Sequence, residues 1–149
     1  MSFAWPGANK KPFTVVITKP FVAIVDDDES VGRSTKRLLR SAGIDAETFV
    51  SGDDFLELRN SMPSYRPDCV ILDVQMPGMS GLEVQKRLAG SGLPIIFITA
   101  HDEVGVRERA LMAGAVAFLR KPFNDEILIK AVRAALNSAP ESGIGPATG

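Results

Sequence analysis

Four acids in a row, Asp26, Asp27, Asp28 and Glu29, follow directly on the apolar run 21–25. A further carboxylate, Asp73, closes a second apolar run that begins at Cys69, and Met76-Pro77-Gly78 comes just after it. Each has a plain reading alone: a solvated loop for the first, the start of a turn for the second. Taken together they point to a site. In an open parallel sheet the C-terminal ends of neighbouring strands meet at one crevice, and if these two runs are adjacent strands, three carboxylates converge there. Two unit charges ~4 Å apart repel by about 4 kcal/mol at an effective dielectric near 20, so something positive must sit among them. Oxygen ligands with no histidine or thiolate in reach favour a hard cation, and Mg²⁺, which keeps several waters, suits two or three carboxylates.

Two more residues belong to the same edge. A fourth apolar run ends at Thr99-Ala100, and a fifth is followed by Lys121-Pro122. Alone, Thr99 is a strand-end hydroxyl and Lys121 a solvated lysine. On successive strand ends, a hydroxyl, an ammonium and Mg²⁺ around one carboxylate are what a phosphoryl group on that carboxylate needs, because its negative oxygens require charge-assisted donors. Asp73 is then the nucleophile. Such a group would also give Thr99 and Lys121 partners they lack without it. His101 is the only histidine and reads as an exposed loop residue, with orientation of an attacking water as the alternative. Arg107, Arg109 and Arg120 read as a solvated or partner-facing surface, and Asp28 as a helix cap.

The elements that must position these residues alternate. Apolar runs at 21–25, 45–50, 69–72, 94–99 and 115–119 are each followed by a stretch with apolar residues at three- and four-residue steps, the punctuation of βα units. Four of the five are nearly all apolar, as in strands covered on both faces, whereas 45–50 has the mixed composition of an edge strand. The first helix opens near Ser30 and closes at Ala42-Gly43. The second spans 51–58. Ser80, with Glu83 three residues on, caps a third that runs to about Leu88. Asp102 opens the fourth, which ends at Ala113-Gly114, and Asn124 caps the fifth. The fold class is α/β: a doubly wound (βα)5 unit around a five-stranded parallel sheet.

Composition excludes several functions. The chain of 149 residues is 45% apolar and 23% charged, ordinary for one globular domain. Lys plus Arg number 17 against 18 Asp plus Glu, so there is no basic field to hold nucleic acid. The single cysteine, Cys69, allows neither an internal disulfide nor a multi-cysteine metal site, which fits a cytoplasmic setting. No apolar stretch is long enough for a membrane span. Residues 1–19, rich in proline and lysine and free of acid, read as a leader or arm; 20–139 as the folded unit; 140–149 as a flexible tail or the start of a linker.

The segments IVDDDES, VILDVQMPGMSGLE, FITA and LRKPF, in that order, resemble the motifs of the two-component response-regulator receiver family, over residues 20–139. The resemblance implies the strand order 2-1-3-4-5. It implies that Asp73 accepts a phosphoryl group from a phosphohistidine of a sensor histidine kinase or phosphotransfer protein. Asp27 would bind Mg²⁺ directly, Asp26 largely through water, and the backbone carbonyl of Gln75 would supply a further oxygen. Thr99 is similar to the family's switch hydroxyl, Lys121 to the lysine that pairs with the phosphoryl oxygens, and Phe118 to the aromatic switch residue that would fill space Thr99 leaves. A cis bond before Pro122 is also implied. The expected product is a signalling domain, not an enzyme, whose helix 4, strand 5 and helix 5 face controls an effector protein or a missing output domain, with room for a phosphorylation-dependent homodimer.

Phe118 and the Arg-Lys-Pro-Phe stretch are similar to the nitrogen-fixation-regulator branch, where output domains are common. Residues 1–19 have no counterpart in the family. The alternative is a Mg²⁺-dependent aspartyl-phosphate phosphatase of the haloacid-dehalogenase type, which wants a second Asp two positions after the nucleophile as acid/base. This chain has Gln75 there. A flavodoxin-like cofactor module is excluded, because four acids after the first strand would repel a cofactor phosphate.

Overall fold

The computed structural model describes residues 20–101 and 103–138. The expected leader, the expected tail and the expected helix-opening Asp102 lie outside the described residues. Along the chain run β1 (Phe21–Val25), α1 (Glu29–Ser41), β2 (Asp45–Phe49), α2 (Gly52–Ser61), β3 (Cys69–Asp73), α3 (Gly81–Arg87), β4 (Ile95–Thr99), α4 (Val106–Met112), β5 (Ala117–Arg120) and α5 (Asp125–Ser138). The five strands form one parallel sheet in the order β2-β1-β3-β4-β5.

The period of two along each central strand divides the core into two layers. Ala23, Val25, Val70, Leu72, Phe97 and Phe118 face one way, onto Phe55 of α2, Val84 of α3 and Val106 and Ala110 of α4. Val22, Ile24, Cys69, Ile71, Ile96 and Ile98 face the other, onto Leu39 of α1 and Leu128 and Val132 of α5. Full burial of each such aliphatic side chain contributes about 1.5–3 kcal/mol, so the sheet centre is rigid and its strand ends are fixed platforms. β2, an edge strand, exposes most of its residues.

Local chemistry sets the helix ends. Asp28 caps α1, its Oδ1 accepting from the Ser30 and Val31 amides at 3.0 and 3.3 Å, and those bonds with the Ser30 hydroxyl hold its carboxyl below the usual range. Ala42 closes α1, with Gly43 left-handed behind it. Ser80 caps α3 through the Glu83 amide at 3.2 Å, and the Asn124 side chain accepts from the Glu126 amide at the start of α5.

The boundaries depart from expectation by two or more residues in three places. α4 begins at Val106, because left-handed Gly105 (φ 85°) breaks the chain there and offers no side-chain cap. β5 begins at Ala117: the Ala115 amide is taken by the Ala110 carbonyl, finishing the helix turn. α2 runs on to Ser61, three residues beyond expectation. Among the described residues no helix is long and apolar enough to cross a membrane.

Candidate functional site

Register brings the chemistry together. Val25 pairs with Leu72 across β1 and β3, so Asp26 and Asp73 leave the sheet side by side. Asp73 in turn pairs with Ile98, and Thr99 with Arg120, which sets Lys121 at the same edge. Backbone bonds carry the alignment past the strand ends: the Val74 amide donates to Ile98 at 3.0 Å and the Lys121 amide to Thr99 at 2.7 Å. The peptide bond between Lys121 and Pro122 is cis.

One carboxylate oxygen from each of Asp26, Asp27 and Asp73 lies within 4.8 Å of the other two. Asp26 and Asp73 are buried, at 2% and 6% exposure, while Asp27 is exposed and marks the mouth. Each buried carboxylate is held from two sides. Asp26 Oδ1 accepts from the Asp28 amide at 2.9 Å and Asp73 Oδ1 from the Gln75 amide at 3.2 Å. Their Oδ2 atoms meet the Lys121 ammonium at 3.2 and 3.5 Å. The expectation that Lys121 lacks a partner is therefore corrected: its ammonium is a positive group placed between the two buried anions.

Burial, and then the neighbouring Asp26 charge, push the Asp73 carboxyl up to about 6. Burial pulls the Lys121 ammonium down, but Asp73 and Asp26 outweigh it and hold the group above its ordinary value. Asp73 is thus an anion at neutral pH yet poorly solvated, the condition of an activated nucleophile. The three converging donors are all carboxylate oxygens, a set that fits a hard divalent cation and disfavours zinc.

Gly81, the first residue of α3, packs against the backbone at the end of β3. A Cβ on it would lie 2.3 Å from the Asp73 carbonyl oxygen and 3.0 Å from Val74 Cα, so only glycine lets α3 approach this closely. Nothing in the reading of the sequence singled it out, although it stands in the MSGLE segment.

Thr99 is fully buried and its hydroxyl is engaged with the next loop, donating to the His101 carbonyl at 2.7 Å and accepting from the His101 amide at 3.1 Å. Thr99 also has partners already, so a phosphoryl group would have to exchange them. His101 itself is exposed. Phe118 is 5% exposed, its ring 6.0 Å from that of Phe97, so it is seated in the core while Thr99 faces the loop. Sequence reasoning missed two contacts. The Gln75 side-chain amide donates to Glu103 at 2.9 Å, and Arg107, expected to be a solvated or partner-facing arginine, donates to the Phe118 carbonyl at 3.3 Å. Neither is marked by a period: Gln75 and Glu103 stand in two separate loops, and Arg107 reaches from a helix to the strand that follows it. Cys69 is buried, its thiol pushed up to about 12, and takes no part.

Residues 22–133 match the family model described as the response regulator receiver domain. The response regulator protein TmoT of Ectopseudomonas mendocina is 43% identical over 122 residues, covering 80% of this chain and 54% of its own length. The transcriptional regulatory protein FixJ of Azorhizobium caulinodans is 40% identical over 124 residues, 82% of this chain and 57% of that protein. The chain spans about half the length of these curated relatives. A crystal structure of a response regulator receiver protein from Burkholderia phymatum superposes with a TM-score of 0.75 at 66% identity, over 82% of this chain and 99% of that one.

Proposed function

This chain belongs to the response-regulator receiver family, and from that premise we propose that it accepts a phosphoryl group on Asp73 from a phosphohistidine and passes the change in charge to a partner. The observation that carries the reading is the meeting of three carboxylates within 4.8 Å, with Lys121 bridging the two buried ones.

In the proposed reaction an Asp73 carboxylate oxygen attacks the phosphorus of the donor, the P–N bond breaks, and the released imidazole nitrogen takes a proton. Lys121 swings its ammonium from the two carboxylates to the incoming phosphoryl oxygens, where a charge-assisted bond strengthens as negative charge accumulates. The Gln75 amide, donating to Asp73 Oδ1, keeps the acceptor oriented. Asp26 and Asp27, with Asp73 and the Gln75 carbonyl, would hold Mg²⁺, which supplies charge neutralisation between the carboxylates and the phosphoryl oxygens.

Phosphorylation replaces about one negative charge by about two. Thr99 then exchanges its two bonds to the His101 backbone for a phosphoryl oxygen. The loop into α4 shifts, and with it the face made by α4, β5 and α5, including Phe118. The partners in this reading are a sensor histidine kinase or phosphotransfer protein on the input side and an effector protein or an output domain on the other. The place of action is the cytoplasm, where such kinases present their phosphohistidine. Gln75 at the position two after Asp73 argues against the phosphatase alternative.

Phosphoramidate tests the reading, because its P–N bond imitates the phosphohistidine donor. With Mg²⁺ it should label the chain at Asp73 and nowhere else. Labelling elsewhere, or labelling that persists without any divalent ion, contradicts the proposal.

A further inference from the structure

Arg107 is the second residue of α4, and a helix's first turn is where a cation is least favoured, since the macrodipole is positive there. Its placement needs another reason. Arg107 is an exposed residue, yet its guanidinium grips one residue of the neighbouring strand at two points, one of them a part-buried hydrogen bond. Nη1 donates to the Phe118 carbonyl at 3.3 Å, and the central guanidinium carbon lies 5.7 Å from the centre of the Phe118 ring. Among the described residues β5 is an edge strand with no further strand beyond it. On its inner side the Phe118 ring packs against Phe97, two residues before Thr99 on β4.

The start of α4 is otherwise held by Val106, buried in the core, and by the bond from Gln75 to Glu103 just before it. Gly105, at its N-cap, makes no side-chain cap bond, and the segment 100–105 that joins Thr99 to α4 is the one that must move if Thr99 turns toward Asp73. The backbone of β5 is hydrogen-bonded along its length to β4, so the Phe118 carbonyl moves less than α4 does. Moving α4 away from it stretches both Arg107 contacts at once.

We propose that Arg107 is a positioning residue that holds α4 against Phe118 in the resting arrangement, with Thr99 bound to the His101 backbone, and so sets how tightly Asp73 and its neighbours take a phosphoryl group. The inference rests on the reading of Asp73 as phosphoacceptor. A contact present in only one of two states shifts the apparent affinity of a ligand that selects the other, and the coupling is reciprocal. A cation over a ring together with a charge-assisted bond at a half-exposed site corresponds to about a threefold to tenfold change.

The test is calorimetric titration of the full chain with beryllofluoride, a phosphoryl mimic, at saturating Mg²⁺. Arg107→Met should bind about threefold to tenfold more tightly than the parent, and Arg107→Lys, which keeps the charge and loses the fork, by a smaller margin. Arg109→Met makes the same charge change on the same helix and should leave the affinity unchanged. In the ligand-free protein, amide exchange in the first turn of α4 should quicken in Arg107→Met alone. Equal or weaker binding in Arg107→Met overturns the proposal, as does an equal gain in Arg109→Met, which would mark the effect as net charge. If the parent itself shows no saturable binding, the phosphoacceptor reading falls, and this inference with it.

Discussion

The ammonium of Lys121 lies 3.5 Å from Oδ2 of Asp73, across a sequence separation of 48 residues. The cluster is therefore partly neutralised from within: a lysine from the end of β5 sits between carboxylates from the ends of β1 and β3. In the proposed function, phosphorylation and metal binding would rearrange this pairing, because the same ammonium cannot serve the bare carboxylates and the phosphoryl oxygens equally.

Removing that ammonium should expose the repulsion it masks. In metal-free buffer at pH 7, Lys121→Met should lose about 1–3 kcal/mol of stability, since one partner of a buried ionic group leaves the others uncompensated. Added Mg²⁺ should restore most of it. Urea unfolding with a chelator and then with Mg²⁺ reads both effects, and a metal-free variant as stable as the parent would contradict the assigned role of Lys121.

Stability should also depend on pH with a definite sign. The folded Asp73 carboxyl titrates at about 6 against an ordinary 3.8, so between those values the folded chain holds the proton more firmly than the unfolded one. The contribution of this group is fully present below about pH 4 and is lost as pH rises through about 6. Asp73→Asn should remove that loss and stabilise the metal-free protein at pH 7 by on the order of 1 kcal/mol. A parent whose unfolding midpoint climbs steadily from pH 4 to pH 7, with no smaller slope than in Asp73→Asn, would show the opposite shift.

Gly81→Ala should damage the site from behind. The added carbon meets backbone at 2.3 Å, where no flexible side chain can yield, so α3 or the Asp73 strand must move. A loss of about 2–4 kcal/mol is expected, measured by thermal unfolding, together with slower phosphorylation. Gly78→Ala makes a useful control, since that glycine has open space around it but a positive φ of 75°. Its effect should be confined to about 1 kcal/mol of turn strain.

Thr99→Ala separates acceptance from transmission. The Asp73 nucleophile is untouched, so labelling should persist, but the amide shifts that phosphorylation causes along α4 and β5 should largely vanish. If the variant shows the same phosphorylation-dependent shifts as the parent, coupling does not run through this hydroxyl.

The reading from residues succeeds where physical period and chemistry coincide. β1, β3 and β4 are legible because strands covered on both faces must be continuously apolar, and the acids that interrupt them at Asp26 and Asp73 stand out against that background. The exposed pattern of β2 likewise placed it at the edge. Legibility fails where a contact depends on loop shape. α4 starts late because of one left-handed glycine, Gly105, against a suitable cap residue upstream. The bonds from Gln75 to Glu103 and from Arg107 to Phe118 join segments whose spacing carries no period, and the close approach of Gly81 to Asp73 emerges only when α3 is docked on the sheet.

Under the proposed function a single carboxylate of this cluster, Asp73, is phosphorylatable. Intact-protein mass spectrometry after incubation with acetyl phosphate and Mg²⁺ measures this directly. A single added phosphoryl group is expected in the parent and none in Asp73→Asn; an unmodified parent, or equal labelling in the variant, would overturn the assignment of Asp73.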